Sequence, residues 1–443
     1  MKKLIIILIT IFLYADIYNN KNISVLNALD IDDSFIRNSR LQYFYKSYLL
    51  KRREYYLNVL ENGYKYLPLI RDEILKSNVP NELLSVAIAE SYLNSFVKSY
   101  KKAIGLWQFM PATAKRFGLK IDGYVDERKD PIKSTKAAIK YLEYLHNFFG
   151  KWYLAILAYN AGEARVVEAV VRAKVDKLCE KLGKKCKKDK KIKQYRQIIK
   201  NYQKRGRYAF NDLYALYKKL NYIDIKLNDL LIVQKGLKRQ YLPKETRDYI
   251  LKVIAMSFLF NSDDFINYTN TYLLNSGILS ELKRVYVPRG TSLYYVSDVL
   301  GIDYKKLRKD NMHLNYTFTP PYKYYIYIPY SKLALFKSKF KPKSFFIVYK
   351  VKKGDTLIKI AKKFGTKVSI IKGFNKIGKY LQISQKLIIP LHYKYIKYRV
   401  KKGDSLIKIA KKFGVKLEKI KKINNLDSNL LRVGQTLKIP KRY

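Results

Sequence analysis

Pro80-Asn81-Glu82-Leu83-Leu84-Ser85-Val86-Ala87-Ile88-Ala89-Glu90-Ser91 reads as a helix with one residue in an unexpected place. Pro80 stands where a helix begins and Glu82 lies in its first turn, where a negative charge is favourable. At helical period Leu83, Val86, Ala87 and Glu90 share one stripe, which puts the Glu90 carboxyl on the buried face. Burial penalises the charged form and raises the pKa, the property a general acid needs at neutral pH. A structural pairing with one of the many lysines is the other reading, and the helix alone leaves both open.

Outward from this helix, the chain is 443 residues long, 48% hydrophobic and 14% aromatic, enough to fill real cores in about three domains. Its 12 Pro and 19 Gly are too few for a collagenous or low-complexity chain. The charge is extreme: 90 Lys and Arg against 35 Asp and Glu, a net +55. Such a balance speaks of partners, and admits nucleic acid, an anionic membrane or an anionic polymer. Cys179 and Cys186, with only His146, His313 and His392 elsewhere, make a Cys/His zinc site improbable, so no metal and no cofactor are expected. In residues 1–15, Lys2 and Lys3 precede an apolar run from Leu4 to Tyr14, too short to span a bilayer but suited to a secretory signal. No cysteine follows the run, so a lipid anchor is not expected. Export to the periplasm or cell envelope is, and it argues against nucleic acid as the partner. In an exported protein Cys179 and Cys186, set in a lysine-rich stretch, can form a local disulfide or remain two thiols.

The C-terminal quarter is repetitive. Lys352 to Gly365 and Lys401 to Gly414 differ only at Thr356 against Ser405; each continues to an Asn (Asn375, Asn424) and closes on an apolar strand ending in Pro (Pro390, Pro440). A degraded copy runs from Val287 through Gly290, Gly301 and Asn311 to Pro329, with Thr291 where the others have Asp. Ile347, Tyr349 and Val351 alternate as a strand; Leu357, Ile360, Ala361 and Phe364 recur as a helix that Asp355 or Thr356 can cap. A second short helix and the closing strand complete a βααβ unit. The pattern resembles the LysM domain, which binds the N-acetylated glycan backbone of peptidoglycan or chitin.

Further motifs surround Glu90: Ser99; Gly105-Leu106-Trp107-Gln108-Phe109-Met110-Pro111; Asp126 to Pro131; Ala158-Tyr159-Asn160-Ala161-Gly162; and Leu242 to Tyr249. In this order and spacing they resemble the lysozyme-like lytic transglycosylases, most closely the membrane-bound type D branch. The stretch from Asn94 to Lys98, with Lys101 and Lys102, departs from the family's usual Pro- and Gly-containing turn. The resemblance implies a mainly α lysozyme-like (α+β) catalytic domain followed by small βααβ LysM modules. The expected layout is a signal segment (1–15), an N-terminal helical region (16–79), the transglycosylase domain (80–255) with a basic insertion near 177–193, a degenerate LysM-like module (284–330), and LysM modules at 347–391 and 398–443. It also implies the reaction: a peptidoglycan lyase that cleaves the MurNAc–GlcNAc β-1,4 bond and leaves 1,6-anhydromuramoyl ends. Glu90 is the implied catalytic acid. Ser99 and Gln108 would hold substrate, Tyr159 would position the sugar, Asn160 would bind an acetamido group or brace its loop, and Tyr249 would line the groove. Trp107 and Trp152 could stack on sugar or fill the core. Asp126, Glu127 and Asp130 are expected to serve the fold, with Arg128 as a pairing partner. The expected partner is the peptidoglycan glycan strand, with peripheral membrane or envelope association admitted. Rival readings are a silent murein-binding scaffold, a hydrolytic lysozyme or chitinase, and a nucleic-acid binder.

Overall fold

Trp152 to Ala158 is apolar on every side, and a helix of that kind has to lie inside a bundle; all seven residues are buried. A computed structural model describes residues 17–262, 281–341 and 346–441, apart from 64, 235, 236, 238, 376, 379, 391–393 and 425. The apolar segment over 1–15 lies outside the described residues. Contacts divide the chain into two compact units: residues up to 121 together with 127–280, and residues 122–126 together with 281–443.

The first unit is helical. In order it holds α1 (Asn20–Ala28), α2 (Ser39–Lys46), α3 (Arg53–Gly63), α4 (Leu67–Leu75), α5 (Leu84–Ser91), α6 (Pro111–Arg116), α7 (Pro131–Phe149), α8 (Trp152–Ala161), α9 (Glu163–Leu182), α10 (Lys190–Arg205), α11 (Phe210–Lys219), α12 (Leu227–Leu231) and α13 (Lys244–Asn261). Asp130 starts α7 as the spacing predicts, its carboxylate accepting from Ile132 N at 3.0 Å and Lys133 N at 2.8 Å. Helix α13 is buried over most of its circumference because α1, α2, α5 and α8 all pack on it. Where α5 and α13 cross, Ser257 donates to Ser85 Oγ at 2.9 Å, small residues letting the two backbones approach. The N-terminal helices belong to this same unit: Tyr45 packs on Phe258 with ring centroids 5.9 Å apart, Asp30 accepts from Trp152 N at 2.7 Å, and Arg40 pairs with Asp248.

The lysine-rich stretch near 177–193 folds as the tip of a helical hairpin, from the end of α9 through a 3₁₀ turn (Gly183–Lys187) into α10. Cys179 and Cys186 form a disulfide across it. Cys186 is buried, whereas Lys181, Lys184, Lys185, Lys187 and Lys188 face solvent.

The second unit repeats one small architecture. Strands β1 (Leu282–Val287) and β2 (Tyr324–Pro329) pair antiparallel around α14 (Leu293–Leu300) and α15 (Tyr304–Asp310), and α16 (Leu333–Lys339) follows. In the next copy β3 (Phe346–Lys350) and β4 (Lys386–Pro390) enclose α17 (Leu357–Lys363) and α18 (Val368–Phe374). In the last, β5 (Lys394–Arg399) and β6 (Thr436–Lys441) enclose α19 (Leu406–Phe413) and α20 (Leu417–Asn424). The cap left open between Asp355 and Thr356 belongs to Thr356, whose Oγ1 accepts from Lys359 N at 3.1 Å; Ser405 does the same for Lys408 N at 3.2 Å. Asp355 and Asp404 instead accept from the Tyr349 and Tyr398 hydroxyls, each at 2.7 Å, and from the Lys352 and Lys401 amides. The repeated Asn ties helix to strand: Asn375 donates to Ile371 O and Ile388 O and accepts from Ile388 N, and Asn311 makes the same three bonds to Leu307 and Tyr327.

Candidate active site

Glu90 closes α5, and the chain then leaves the helix through two left-handed residues, Tyr92 (φ 51°) and Leu93 (φ 57°). Glu90 is half-buried as a residue, and protein crowds its carboxyl. Burial raises its pKa to about 7, with the charge of Glu245 adding to the rise. One bond opposes this: the Tyr249 hydroxyl donates to Glu90 Oε1 at 2.7 Å and favours the carboxylate. Tyr249 comes from the first turns of α13, so the α5–α13 crossing that packs Ser85 against Ser257 also sets this contact. Burial holds the Tyr249 and Tyr159 hydroxyls well above their ordinary range, so both stay protonated.

The loop after α5 is pinned from several directions. Ser91 Oγ donates to Leu106 O at 2.8 Å, joining the helix to the Gly105–Pro111 segment. Gly105 is at φ +88°, and a Cβ there would overlap the Arg128 carbonyl oxygen, so only glycine fits. Arg128 donates to Lys102 O at 2.9 Å and Phe109 O at 3.1 Å, bracing the loop. Glu127 accepts from Lys133 Nζ at 2.7 Å and Lys120 N at 2.8 Å.

Gln108 adopts φ 45°, a conformation costly for a non-glycine residue. Its Nε2 donates to Val97 O at 3.1 Å and Gly105 O at 2.8 Å, so both amide hydrogens are spent inside the loop and only Oε1 remains to meet a ligand. Ser99 Oγ accepts from Ala103 N at 3.0 Å, closing the turn that carries Lys101 and Lys102 into solvent. Tyr159, on the last turns of α8, donates to Trp107 O at 2.7 Å and lies close enough for the charge on Glu90 to act on its hydroxyl. Asn160 is half-buried beside it; among the described residues no hydrogen bond holds its amide. Both tryptophans are core residues: Trp107 is 1% exposed with its indole N–H on Thr135 Oγ1, and Trp152 stacks on His146 at 4.0 Å. Glu90, Tyr249 and Tyr159 therefore come together, while Ser99 and Gln108 shape the loop beside them. The direct Tyr249 bond to Glu90 is not visible in sequence, because nothing local signals a contact across 159 positions.

Family comparisons match part of the first unit and most of the second. The Transglycosylase SLT domain matches residues 69–177, the LysM-like domain of the lytic transglycosylase MltD matches 281–343, and the LysM domain matches 349–390 and 398–440. Membrane-bound lytic murein transglycosylase D of Escherichia coli (strain K12) is 26% identical over 365 residues, 78% of this chain and 67% of its own length. A protein linked by name to tributyltin chloride resistance in Alteromonas sp. (strain M-1) is 46% identical over 110 residues, 25% of this chain and 53% of that protein. The chain thus spans about half of one of these relatives and about two thirds of the other. The 70 kDa soluble lytic transglycosylase SLT70 from Escherichia coli aligns at 20% identity over 46% of this chain and 25% of its own, with a TM-score of 0.27. With Glu90 half-buried beside Tyr249 at the end of the helix that opens the SLT motifs, and an MltD-type module followed in sequence by two LysM copies, the chain is similar to the lytic murein transglycosylases and, in its order of modules, to the membrane-bound type D enzymes.

Proposed function

We propose that this protein cleaves the β-1,4 bond between MurNAc and GlcNAc in peptidoglycan without water, leaving a 1,6-anhydromuramoyl end, and that the LysM modules hold it on the wall. The observation that carries this reading is the Glu90 carboxyl, raised to about 7 by burial and bonded to Tyr249. A proton still held near neutral pH can pass from Glu90 to the glycosidic oxygen as its bond to the muramoyl C1 breaks. The resulting carboxylate, stabilised by the Tyr249 hydroxyl, then takes the proton from the C6 hydroxyl as O6 closes on C1. Glycosidases normally divide such work between two carboxyl groups. Here the carboxylates near the loop have other partners: Asp130 caps α7 and Glu127 binds Lys133 and the Lys120 amide. One group serving in both directions fits that arrangement.

Tyr159 shapes the sugar site beside Glu90, and Asn160, its amide without a hydrogen bond among the described residues, can receive an acetamido group. Gln108 offers Oε1, and Ser99 its hydroxyl proton. Association with peptidoglycan places the protein in the cell envelope, and we infer export through residues 1–15 into the periplasm. Among the described residues no helix is long and apolar enough to cross a membrane. The test is mass spectrometry of purified sacculi digested with the wild type and with Glu90→Gln. Anhydromuropeptides are expected from the wild type and none from the variant; reducing ends from the wild type would make the enzyme a hydrolase, and anhydro ends from the variant would remove Glu90 from its role.

A further inference from the structure

A file of aromatic rings leads away from the site, and beyond Tyr159 nothing in the chemistry above uses it. Tyr159 lies 5.2 Å from Tyr141, centroid to centroid; Tyr141 is 6.5 Å from Tyr144, and Tyr144 is 6.3 Å from Phe148. From Phe148 the file crosses to a second helix, to Tyr214 at 5.2 Å and on to Phe210 at 6.0 Å. The sequence builds this from two helical faces. Tyr141, Tyr144 and Phe148 follow one another at i, i+3 and i+7 on α7, and Phe210 and Tyr214 at i and i+4 on α11.

Two features mark the file. The first is burial: Tyr141 is buried, but Tyr144, Phe148, Tyr214 and Phe210 are each half-exposed, so the outer rings reach the surface. The second is orientation. Aromatic pairs favour offset-stacked as well as edge-to-face geometry, and along the outer part the parallel form holds throughout, the ring planes turning by only 18° from Phe148 to Tyr214 and 10° from Tyr214 to Phe210. Cations flank it: the Arg116 guanidinium lies 4.3 Å from the Tyr144 centroid and Lys218 Nζ lies 4.6 Å from that of Tyr214.

We propose that this file is an extended glycan track, which holds peptidoglycan sugars beyond those at the cleaved bond and feeds the strand to Glu90. The apolar C–H faces of pyranose rings pack on aromatic rings, and steps of 5.2 to 6.5 Å are close to the advance of one sugar along a β-1,4 chain. Stem-peptide carboxylates project from that strand, and Lys218 lies where such a charge would meet the file, while Arg116 is already paired with Glu163 at 3.4 Å. Continuity with Tyr159 selects the occupant: a polymer bound at Glu90 and longer than the cleft has to continue over the neighbouring surface. The track rests on the transglycosylase reading, and its test separates the two.

Full-length protein is assayed on defined peptidoglycan glycans of four and twelve sugars, both carrying stem peptides, and kcat/KM is measured for each. The readout is the ratio of the long substrate to the short one, normalised to the wild type so that the LysM contribution cancels. Phe148→Ser with Tyr214→Ser should lower that ratio at least fivefold. Tyr208→Ser, which alters an exposed ring outside the file, should leave it unchanged. Phe148→Leu with Tyr214→Leu keeps the bulk but loses the flat faces, and should lower the ratio even if the serine pair fails to fold. A ratio unchanged in the leucine pair overturns the track, as does an equal loss on both substrates accompanied by a lower Tm, the mark of packing alone. A wild type that makes no anhydro ends overturns the enzymatic reading and the track with it; a wild type that makes them with a variant-insensitive ratio overturns the track only.

Discussion

The LysM copies and the catalytic unit put their motif residues to work over very different distances. In the copy that runs from Phe346 to Pro390, Asp355 bonds Tyr349 six residues away and Asn375 bonds Ile388 thirteen away, so each motif residue acts within its own module. In the catalytic unit Glu90 meets Tyr249 across 159 positions, and that contact depends on the crossing of α5 and α13 rather than on any local pattern. A module of local contacts can be duplicated or degraded as a piece, whereas a long-range site survives only if the whole bundle holds its register. The differences between the copies fit this. The first keeps the Asn311 tie yet has Thr291 in place of the Asp, with its hydroxyl on Pro288 O at 2.7 Å.

The sharpest way to isolate the long-range site is Glu90→Gln. Catalysis should fall by at least three orders of magnitude, about 4 kcal/mol in barrier. Stability should move the other way. Because burial raises the folded pKa of Glu90 from about 4.5 to about 7, its contribution is intact below pH 4.5 and is lost as pH rises through 7. Removing the ionisable group should therefore leave stability unchanged at pH 4 and raise it by about 2 kcal/mol at pH 8. Denaturant melts at the two pH values check this; equal melts at pH 8 would mean the carboxyl is well solvated.

Tyr249→Phe removes the far end of the same contact and should cost less, about tenfold in kcat. The lost bond is one that lowers the Glu90 pKa, so the alkaline limb of the pH–rate profile should shift upward. A purely structural tyrosine would lower the rate without moving that limb.

What could be read in the sequence divides along the same line. The βααβ modules, their Asp and Asn positions and the Asp130 cap were legible because periodicity and capping are local signals. Glu90 was legible from its place on an apolar stripe and from the motifs around it. The helices between residues 20 and 75 were legible as helices, but their packing around α13 through Tyr45 and Arg40 was not. Not legible were the bonds that Gln108 Nε2 and Arg128 make to backbone carbonyls, since a loop without regular structure must find partners for its own polar groups and nothing local in the sequence says which.

Within the modules the counterpart of these changes is Asn375→Ala. It leaves the Ile388 N–H and the Ile371 and Ile388 carbonyls without their side-chain partner, and should destabilise that module by about 2–3 kcal/mol. Binding of the full chain to sacculi should weaken while cleavage of short soluble glycans stays within twofold of the wild type. A matching loss of both would mean that the modules and the catalytic site are coupled, and would break the contrast between local and long-range construction.

The smallest effect is expected where the catalytic unit itself contains a local link. Cys179 and Cys186 are seven positions apart and close the tip of the α9–α10 hairpin, with Arg196 donating to Cys179 Sγ at 3.4 Å. A loop this short restrains little of the unfolded chain, so Cys179→Ser with Cys186→Ser should cost about 2 kcal/mol by the loop-entropy estimate. The hairpin tip carries no residue that touches Glu90, Tyr249 or Tyr159, so kcat on short glycans should stay within twofold even as Tm falls. Non-reducing peptide mapping of protein recovered from the cell envelope would establish the bond in the mature chain, and the same protein assayed with and without reductant would show whether the site feels it. If reduction lowered kcat in proportion to stability, the hairpin would be part of the long-range register that positions Tyr249, and the catalytic unit would have no region built as locally as the LysM modules are.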